Sequence, residues 1–230
     1  MRNQFLTPAI MLSRVDYGEA DRIITFLTPE HGKLAAMAKG VRRSTSKLAG
    51  GIELFSESSL TLLKGRGEVY TLVSSSLVTY WDAIVKDLAR TMFAYEALKQ
   101  INKIADEGND HGLYDLLKMT LEQLNGPDIL LPLIECWFYL RFLLILGHAP
   151  QLDQDAKGDP LDPSANYSFS LGDMVFFQNR DGEYSANHLK LLRLMQKHTP
   201  EQLKNIQKID EILADLLPLV KNMLTVQLSR

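Results

Sequence analysis

Arg22-Ile23-Ile24-Thr25-Phe26-Leu27-Thr28, Pro29-Glu30-His31-Gly32, Lys33-Leu34-Ala35-Ala36-Met37-Ala38-Lys39 and then Gly40-Val41-Arg42-Arg43-Ser44-Thr45-Ser46-Lys47 is the stretch that decides the fold. Its β-branched and apolar run over 22–28 suits a strand, and Pro29 to Gly32 is a tight turn. Residues 33–39 form a second strand, so the pair is a hairpin. At Gly40 the pattern breaks into a loop. Between His31 and Ile52 stand Lys33, Lys39, Arg42, Arg43 and Lys47, and no Asp or Glu.

Outward from the hairpin, residues 5–14 read as an earlier strand, with Pro8 confining its beginning to an edge. Residues 15–21 form a turn-rich connection. After the basic loop, Glu53 to Lys64 reads as a fourth strand, Gly65-Arg66-Gly67 as a turn and Glu68 to Ser74 as a fifth strand. Five short strands in the first 75 residues predict a small closed or nearly closed barrel, because so small a sheet left open would expose an unpaired edge and bury one face only. The five-stranded oligonucleotide-binding (OB) fold is such a barrel.

From Trp81 the apolar period lengthens to that of a helix, which places a domain boundary near Tyr80: 1–80 a nucleic-acid-binding barrel, 81–230 an α-helical domain, α+β overall. Trp81, Ile84, Val85, Leu88, Met92, Tyr95 and Leu98, with Ala89 and Ile101 nearby, are expected on the buried side of the first helix, with Lys86, Asp87, Arg90 and Lys99 opposite. His111 to Leu124 predicts a second helix, stopped by Asn125-Gly126-Pro127. Asp128 is expected to cap an apolar helix ending at Gly147. Its span, Ile129 to Leu146, approaches membrane length, but Glu135 and Arg141 would each cost about 3 kcal/mol at a bilayer centre. A buried helix is therefore expected. Residues 148–185 are irregular, with a short hairpin placed around Asn179 to Gly182. Ser185 and Thr199-Pro200-Glu201-Gln202 cap two further helices, and Ile209 to Leu228 forms the last, with Pro218 inside it.

The overall charge of −3 hides an asymmetry. Residues 1–80 hold ten Lys or Arg against seven acids, a surplus of three positive charges, so the remainder carries −6. That asymmetry admits a polyanionic ligand for the first part. The 46% apolar and 23% charged composition is that of a soluble globular protein. Met1-Arg2-Asn3-Gln4 leads into alternating sequence without the apolar core of a secretory leader. A lone Cys136 excludes an internal disulfide and suits a reducing cytosol.

Enzyme signatures are missing: no phosphate-binding glycine–lysine loop, no H-E-x-x-H and no G-x-S-x-G. Asp153-Gln154-Asp155-Ala156-Lys157-Gly158 begins like a calcium loop but has Lys157 at position five and Ser164 at position twelve. The five histidines lack metal-ligand spacing, and Cys136 lies in the most apolar helix. A binding protein with no catalytic residues, no metal and no cofactor is expected. The basic loop adds hydroxyls at Ser44, Thr45 and Ser46 that can donate to phosphate oxygens, and glycines at 40, 50 and 51 that leave it free to adapt. Six such cations on single-stranded DNA would give a slope of log affinity against log salt of roughly −4. Phe26, Phe55 and Tyr70 are the stacking candidates, few enough to predict backbone binding with little sequence preference. An RNA-binding adaptor using the same barrel, and a hydrolase with carboxylates in 153–162, are the alternative readings.

These residues resemble the RecO family of recombination mediators. The resemblance rests on Tyr17-Gly18-Glu19 with Asp21-Arg22-Ile23, Leu27-Thr28 followed by His31-Gly32-Lys33, Ala38-Lys39-Gly40 with Arg42-Arg43 and Ser46, and Gly65-Arg66-Gly67-Glu68. Leu146-Gly147-His148-Ala149-Pro150 with Leu152-Asp153 extends it into the second half. It implies an N-terminal OB barrel and a helical C-terminal domain. It implies binding of single- and double-stranded DNA and annealing of complementary strands. It further implies work with RecR, and through it RecA, on DNA coated by single-strand-binding protein, whose acidic, apolar tail the helical domain would dock. The location implied is the cytoplasm, at the nucleoid. DNA contacts would fall on Lys39, Arg42, Arg43 and Lys47, joined by Arg22, Lys33 and Arg66. Many such proteins carry paired cysteines after the Leu-Asp of the central passage. Here Asp155-Ala156-Lys157-Gly158 stands there, so zinc is not expected and 151–185 must be held by packing.

Overall fold

Alternating side chains build five strands from the first eighty residues: β1 (Asn3–Tyr17), β2 (Asp21–Thr28), β3 (Gly32–Ala38), β4 (Ser56–Lys64) and β5 (Tyr70–Tyr80). In the computed structural model, which describes residues 3–46, 48–65, 67–108 and 112–229, they close into a barrel in the order β1-β2-β3-β5-β4. β1 serves two neighbours in turn. Asn3 to Ile10 pairs with β4, and Ile10 to Tyr17 with β2, with an irregularity between Met11 and Ser13 where the strand changes partner. Pro8 lies in the half with one neighbour, where its missing N–H leaves no ladder bond unmade. The barrel closes through a short parallel contact, Ala36 opposite Tyr70 and Met37 opposite Thr71. Its interior is filled by Met11, Ile24, Phe26, Leu34, Leu60 and Leu62, all nearly inaccessible. Each contributes about 1.5–3 kcal/mol of burial.

Strand lengths depart from the sequence reading. β1 runs on to Tyr17 and β5 to Tyr80, because Val73, Val78, Thr79 and Tyr80 continue the β-favouring run. β4 starts only at Ser56, since Phe55 takes a left-handed backbone, φ 55°, that a strand cannot contain.

Two helices, α1 (Leu88–Ile104) and α2 (Leu113–Asn125), belong to the same compact unit as the barrel, Met1–Pro127. The expected start of α2 at His111 lies outside the described residues. Glu57 on β4, almost buried, accepts from Tyr114 (2.7 Å) and Lys118 (3.0 Å) of α2 and so ties barrel to helix.

The buried side of α1 is only partly the one the sequence predicts: Trp81, Ile84 and Leu98 are buried as expected, but Val85, Leu88, Met92 and Tyr95 are exposed. Arg90, Phe93, Ala94, Ala97, Leu98 and Ile101 face inward, while Leu88 (76% exposed), Met92 (65%) and Tyr95 face solvent. The physical reason is Arg90. Its guanidinium donates to the carbonyls of Leu124 (2.9 Å) and Pro127 (3.3 Å), at and just beyond the end of α2. Helix ends leave carbonyls without intrahelical donors. A buried arginine meets that need, and so turns α1 around.

The second unit, Asp128–Arg230, is built on α3 (Leu131–Ile145), apolar on every side and buried among its own unit's elements. Leu130, not Asp128, occupies its N-cap, and Pro132 fills the first turn. Gly147 ends the helix with φ +76°. The two charges within the span are both matched: Glu135 pairs with Lys221 at 2.6 Å, and Arg141 donates to the carbonyl of Gln196. No helix among the described residues is long and apolar enough to cross a membrane. Cys136 is fully buried, and burial pushes its thiol well above the ordinary range.

Residues 148–185 fold around a two-stranded sheet, β6 (Tyr167–Ser170) and β7 (Val175–Gln178), so the hairpin turn lies at 171–174 and not at 179–182. Asn179 to Gly182 instead leads the chain back to pair with Tyr167, and a Cβ on Gly182 would meet the Tyr167 backbone at 2.4 Å. Phe176 and Tyr167 are buried, and Arg193 donates Nε to the Leu152 carbonyl at 2.8 Å. Three helices complete the unit: α4 (Ala186–Lys197), α5 (Pro200–Leu203) and α6 (Ile209–Leu228). The first two start in capping boxes from Ser185 and Thr199.

Candidate nucleic-acid interface

The basic loop begins where β3 ends, and it is anchored before it reaches its arginines. Asp21 accepts the Gly40 N–H at 2.6 Å, and the Ala20 carbonyl accepts the Arg42 N–H at 3.0 Å. Gly40 takes φ +64°, a left-handed turn open to glycine. Val41 then buries itself in the barrel core. On the far side Ile52 is buried in the same core, with Leu48 and Leu54 packed against it. The Ser75 hydroxyl donates to the Leu48 carbonyl at 2.9 Å. Gly51 is wedged there as well, since a Cβ would come within 2.6 Å of Ser75.

Of the three glycines the sequence expects to leave the loop free to adapt, Gly50 has open space around it, whereas the other two are held. Gly40 is fixed by its donor bond and Gly51 by contact. Between the braces, Arg42, Arg43, Ser44 and Thr45 stand in solvent. Turns through Arg43 N–H to the Gly40 carbonyl (3.1 Å) and Ser46 N–H to the Arg43 carbonyl (3.0 Å) shape this tip.

The seven cations expected at the site separate into groups. Lys39, Arg42 and Arg43 are exposed along the loop and its root, and among the described residues no carboxylate lies within ion-pair distance of Lys39 or Arg43. Arg22 joins them from β2 by way of a shared carboxylate. Its Nε donates to Asp16 Oδ1 at 2.8 Å, and Arg42 lies 3.6 Å from Asp16 Oδ2. Lys33 is not brought to the loop. It stands six residues before Lys39 on β3, about 20 Å away along an extended strand. Its ammonium donates to the Asn102 carbonyl near the end of α1 at 2.9 Å. Lys47 and Arg66 lie outside the described residues.

The loop is free of acid in sequence but not in space. Asp16 and Asp21 reach it from across the β1–β2 turn. Asp16 is opposite Arg22, and Tyr17 opposite Asp21. The Arg22 hydrogen bond, and less strongly the charges of Arg42, Arg22 and Arg14, outweigh desolvation and hold the Asp16 carboxyl below its usual range.

The aromatic candidates also change. Phe26, Phe55 and Tyr70 are buried, Phe26 and Tyr70 in the barrel. Of the exposed rings of the barrel, Tyr17 (56% exposed) at the end of β1 and Tyr80 (43%) at the end of β5, Tyr17 is the one beside the loop's acidic partners. Alternation puts Tyr17 and Val15 on the outer face, where Val15 opposes Ile23 and Ile23 opposes Met37. Lys39 continues the same alternation from Ala35 and Met37. This outer surface of β1, β2 and β3 is apolar and aromatic, with Lys39 at one end and Lys33, engaged by the Asn102 carbonyl, at the other. In OB folds the strand 2–3 face and the adjoining loops take the oligonucleotide. The sequence held a signal for both Tyr17 and Asp16: positions 17 and 21, and 16 and 22, are mirror images about Glu19, the centre of the turn.

Comparison with known proteins covers both halves of the chain. The family model described as "Recombination protein O N terminal" matches residues 1–81, and "Recombination protein O C terminal" matches residues 85–230. A protein of Dehalococcoides mccartyi named DNA repair protein RecO is 30% identical over 224 residues, 93% of this chain and 87% of the relative. One of the same name from Heliobacterium modesticaldum is 29% identical over 228 residues, 93% of this chain and 81% of the relative. A third, from Desulfatibacillum aliphaticivorans, is 34% identical over 151 residues, 64% of this chain and 58% of the relative.

Proposed function

Since the chain belongs to the RecO family of DNA repair proteins, we propose that it acts without catalysis as a strand-annealing recombination mediator, gripping DNA backbones with Lys39, Arg42, Arg43 and Lys47. The observation that carries this reading is the loop braced at both ends, with Arg43 and Lys39 exposed without a carboxylate partner among the described residues and Arg42 beside them in a weak exposed pair with Asp16. A rigid presentation lowers the entropy lost when phosphates bind. Two phosphate chains repel one another, and a surface that neutralises both removes part of the barrier to their pairing. Because the contacts are mostly to phosphate, they position a strand without reading its sequence. Tyr17 supplies a stacking surface that any base can use. Arg22 and Arg66 are the lesser DNA contacts in this reading, and the residue 1–80 segment carries the site.

In this reading the protein works in the cytoplasm at the nucleoid, together with RecR. Its helical part receives the tail of single-strand-binding protein, and RecA is loaded as a result. Neither a cofactor nor a metal takes part.

The test is Arg42→Glu with Arg43→Glu, assayed for single-strand binding and for annealing of complementary oligonucleotides without nucleotide. Affinity should fall about a hundredfold, since two charge-assisted contacts are lost and repulsion replaces them. Annealing should fall with it. Unchanged binding sinks the proposal, and strong preference for a matched RNA oligomer would move it to the RNA-adaptor reading.

A further inference from the structure

We propose that Asp16 is an internal stand-in for a nucleic-acid phosphate: it occupies the Arg22 and Arg42 guanidinium groups in the free protein and gives them up when a strand binds. The inference rests on the DNA-binding role proposed above and concerns the regulation of that same site.

The geometry points to competition and away from architecture. One oxygen of Asp16 accepts from Arg22 at 2.8 Å and the other lies 3.6 Å from Arg42. A bridging phosphate would present its oxygens to two guanidinium groups in the same way. Arg14 stands two residues before Asp16 on β1 and shares its face, so a third arginine adds its charge near the carboxylate that Arg22 and Arg42 engage. The cluster keeps a positive excess that still attracts a polyanion.

All the members can also be reached. The side chains of Arg22, Arg42 and Asp16 are 27%, 37% and 53% exposed. Exposed ion pairs of this type are weak and screened by salt. A single carboxylate on a strand end is therefore readily exchanged for a phosphate. The loop does not rely on Asp16 for its shape, because its root is held by Asp21 and Ala20 through backbone donors. Removing the Asp16 carboxylate should thus free two cations without loosening the loop.

The consequence is a brake on affinity. In the wild type a strand arriving at Arg22 and Arg42 displaces Asp16, where otherwise it would gain the full electrostatic benefit of both. A mediator that must release its strand for pairing gains turnover from such a brake.

The experiment is anisotropy titration of a fluorescent oligothymidine with the full chain at several salt concentrations, for wild type, Asp16→Asn and Asp16→Ala. Both variants should bind about threefold to tenfold more tightly, and the salt slope should steepen by about 0.7 for every additional phosphate neutralised. Adding Arg22→Ala to Asp16→Asn should remove most of the gain. Equal or weaker binding by the two variants overturns the proposal, weaker binding meaning that Asp16 positions the arginines for DNA. Should one variant misfold, as judged by thermal unfolding, the other decides. Failure of the underlying reading looks different: the wild type would then not bind, or Arg42→Glu with Arg43→Glu would leave binding intact.

Discussion

Arginine serves opposite ends in two regions of this protein. At the barrel loop, Arg42 and Arg43 stand in solvent on a braced turn. In the helical parts, Arg90 is buried against the carbonyls of Leu124 and Pro127, and Arg193 holds the Leu152 carbonyl. The residue type is the same, and the local sequence gives little warning of the difference. What separates them is whether a backbone carbonyl left without a donor lies within reach, at a helix end for Arg90 and in the irregular segment after α3 for Arg193. A helix end presents unpaired carbonyls, and a guanidinium with five donors satisfies several at once. The barrel loop presents none to Arg43, so its charge remains available to a ligand.

Arg90→Ala should give the largest effect on the structural side of this comparison. Two inward-facing carbonyls would lose their donor, at about 1–3 kcal/mol each. A loss of about 3 kcal/mol in urea unfolding is expected, with the single-strand affinity of the folded fraction unchanged. If Arg90→Ala were neutral in stability, the division between structural and presented arginines would fail.

Lysine repeats the contrast on a smaller scale, between Lys33 on β3 and Lys39 just past its end. Lys39→Ala should weaken single-strand binding about threefold to tenfold and lower the salt slope by about 0.7. Lys33→Ala should leave both unchanged, because its ammonium is engaged by Asn102. Equal effects of the two would show that their positions are immaterial to binding.

The smallest effect sharpens the comparison from the side of pH. The hydrogen bond from Lys118 to Glu57 raises the lysine's pKa above its ordinary 10.5. Its stabilising contribution is then fully present below about pH 10.5 and lost as pH rises through the raised value. Lys118 is about one-third exposed, so screening keeps the contribution below about 1 kcal/mol. The stability difference between wild type and Lys118→Met should be constant from pH 7 to 9 and shrink only in stronger alkali. A difference that shrank between pH 7 and 9 would contradict the raised value.

The barrel was legible in the sequence because strand alternation and turn glycines are local signals. β2 and β3 fall within a residue of their expected bounds, and the hairpin between them is where Pro29 to Gly32 places it. The helix starts at Ser185 and Thr199 were legible for the same reason, the Thr199 capping box being complete within four residues, while the His188 partner that completes a box at Ser185 was not read from the sequence. The face of α1 was not. Its sequence carries two apolar stripes, one through Leu88, Met92 and Tyr95 and one through Phe93, Ala97 and Ile101, and periodicity cannot rank them. Their order was settled by Arg90 meeting the end of α2, 34 residues further along the chain. The stacking candidates failed for a related reason: alternation says that Phe26 and Tyr17 lie on opposite faces, but which face is the core depends on how the sheet closes.

The sequence by itself determined that a β-barrel precedes a helical region and that cations gather after β3. Both follow from residue order over a few positions, where chain geometry allows little choice. Only the tertiary structure decided which of those cations are presented. Pairing β1 with β2 brings Asp16 and Asp21 to a loop that has no acid of its own, because strand register joins residues that the sequence keeps far apart. The same closure seats Val41 and Ile52 in the barrel core, and burial of those two apolar side chains turns a run of cations into a fixed surface.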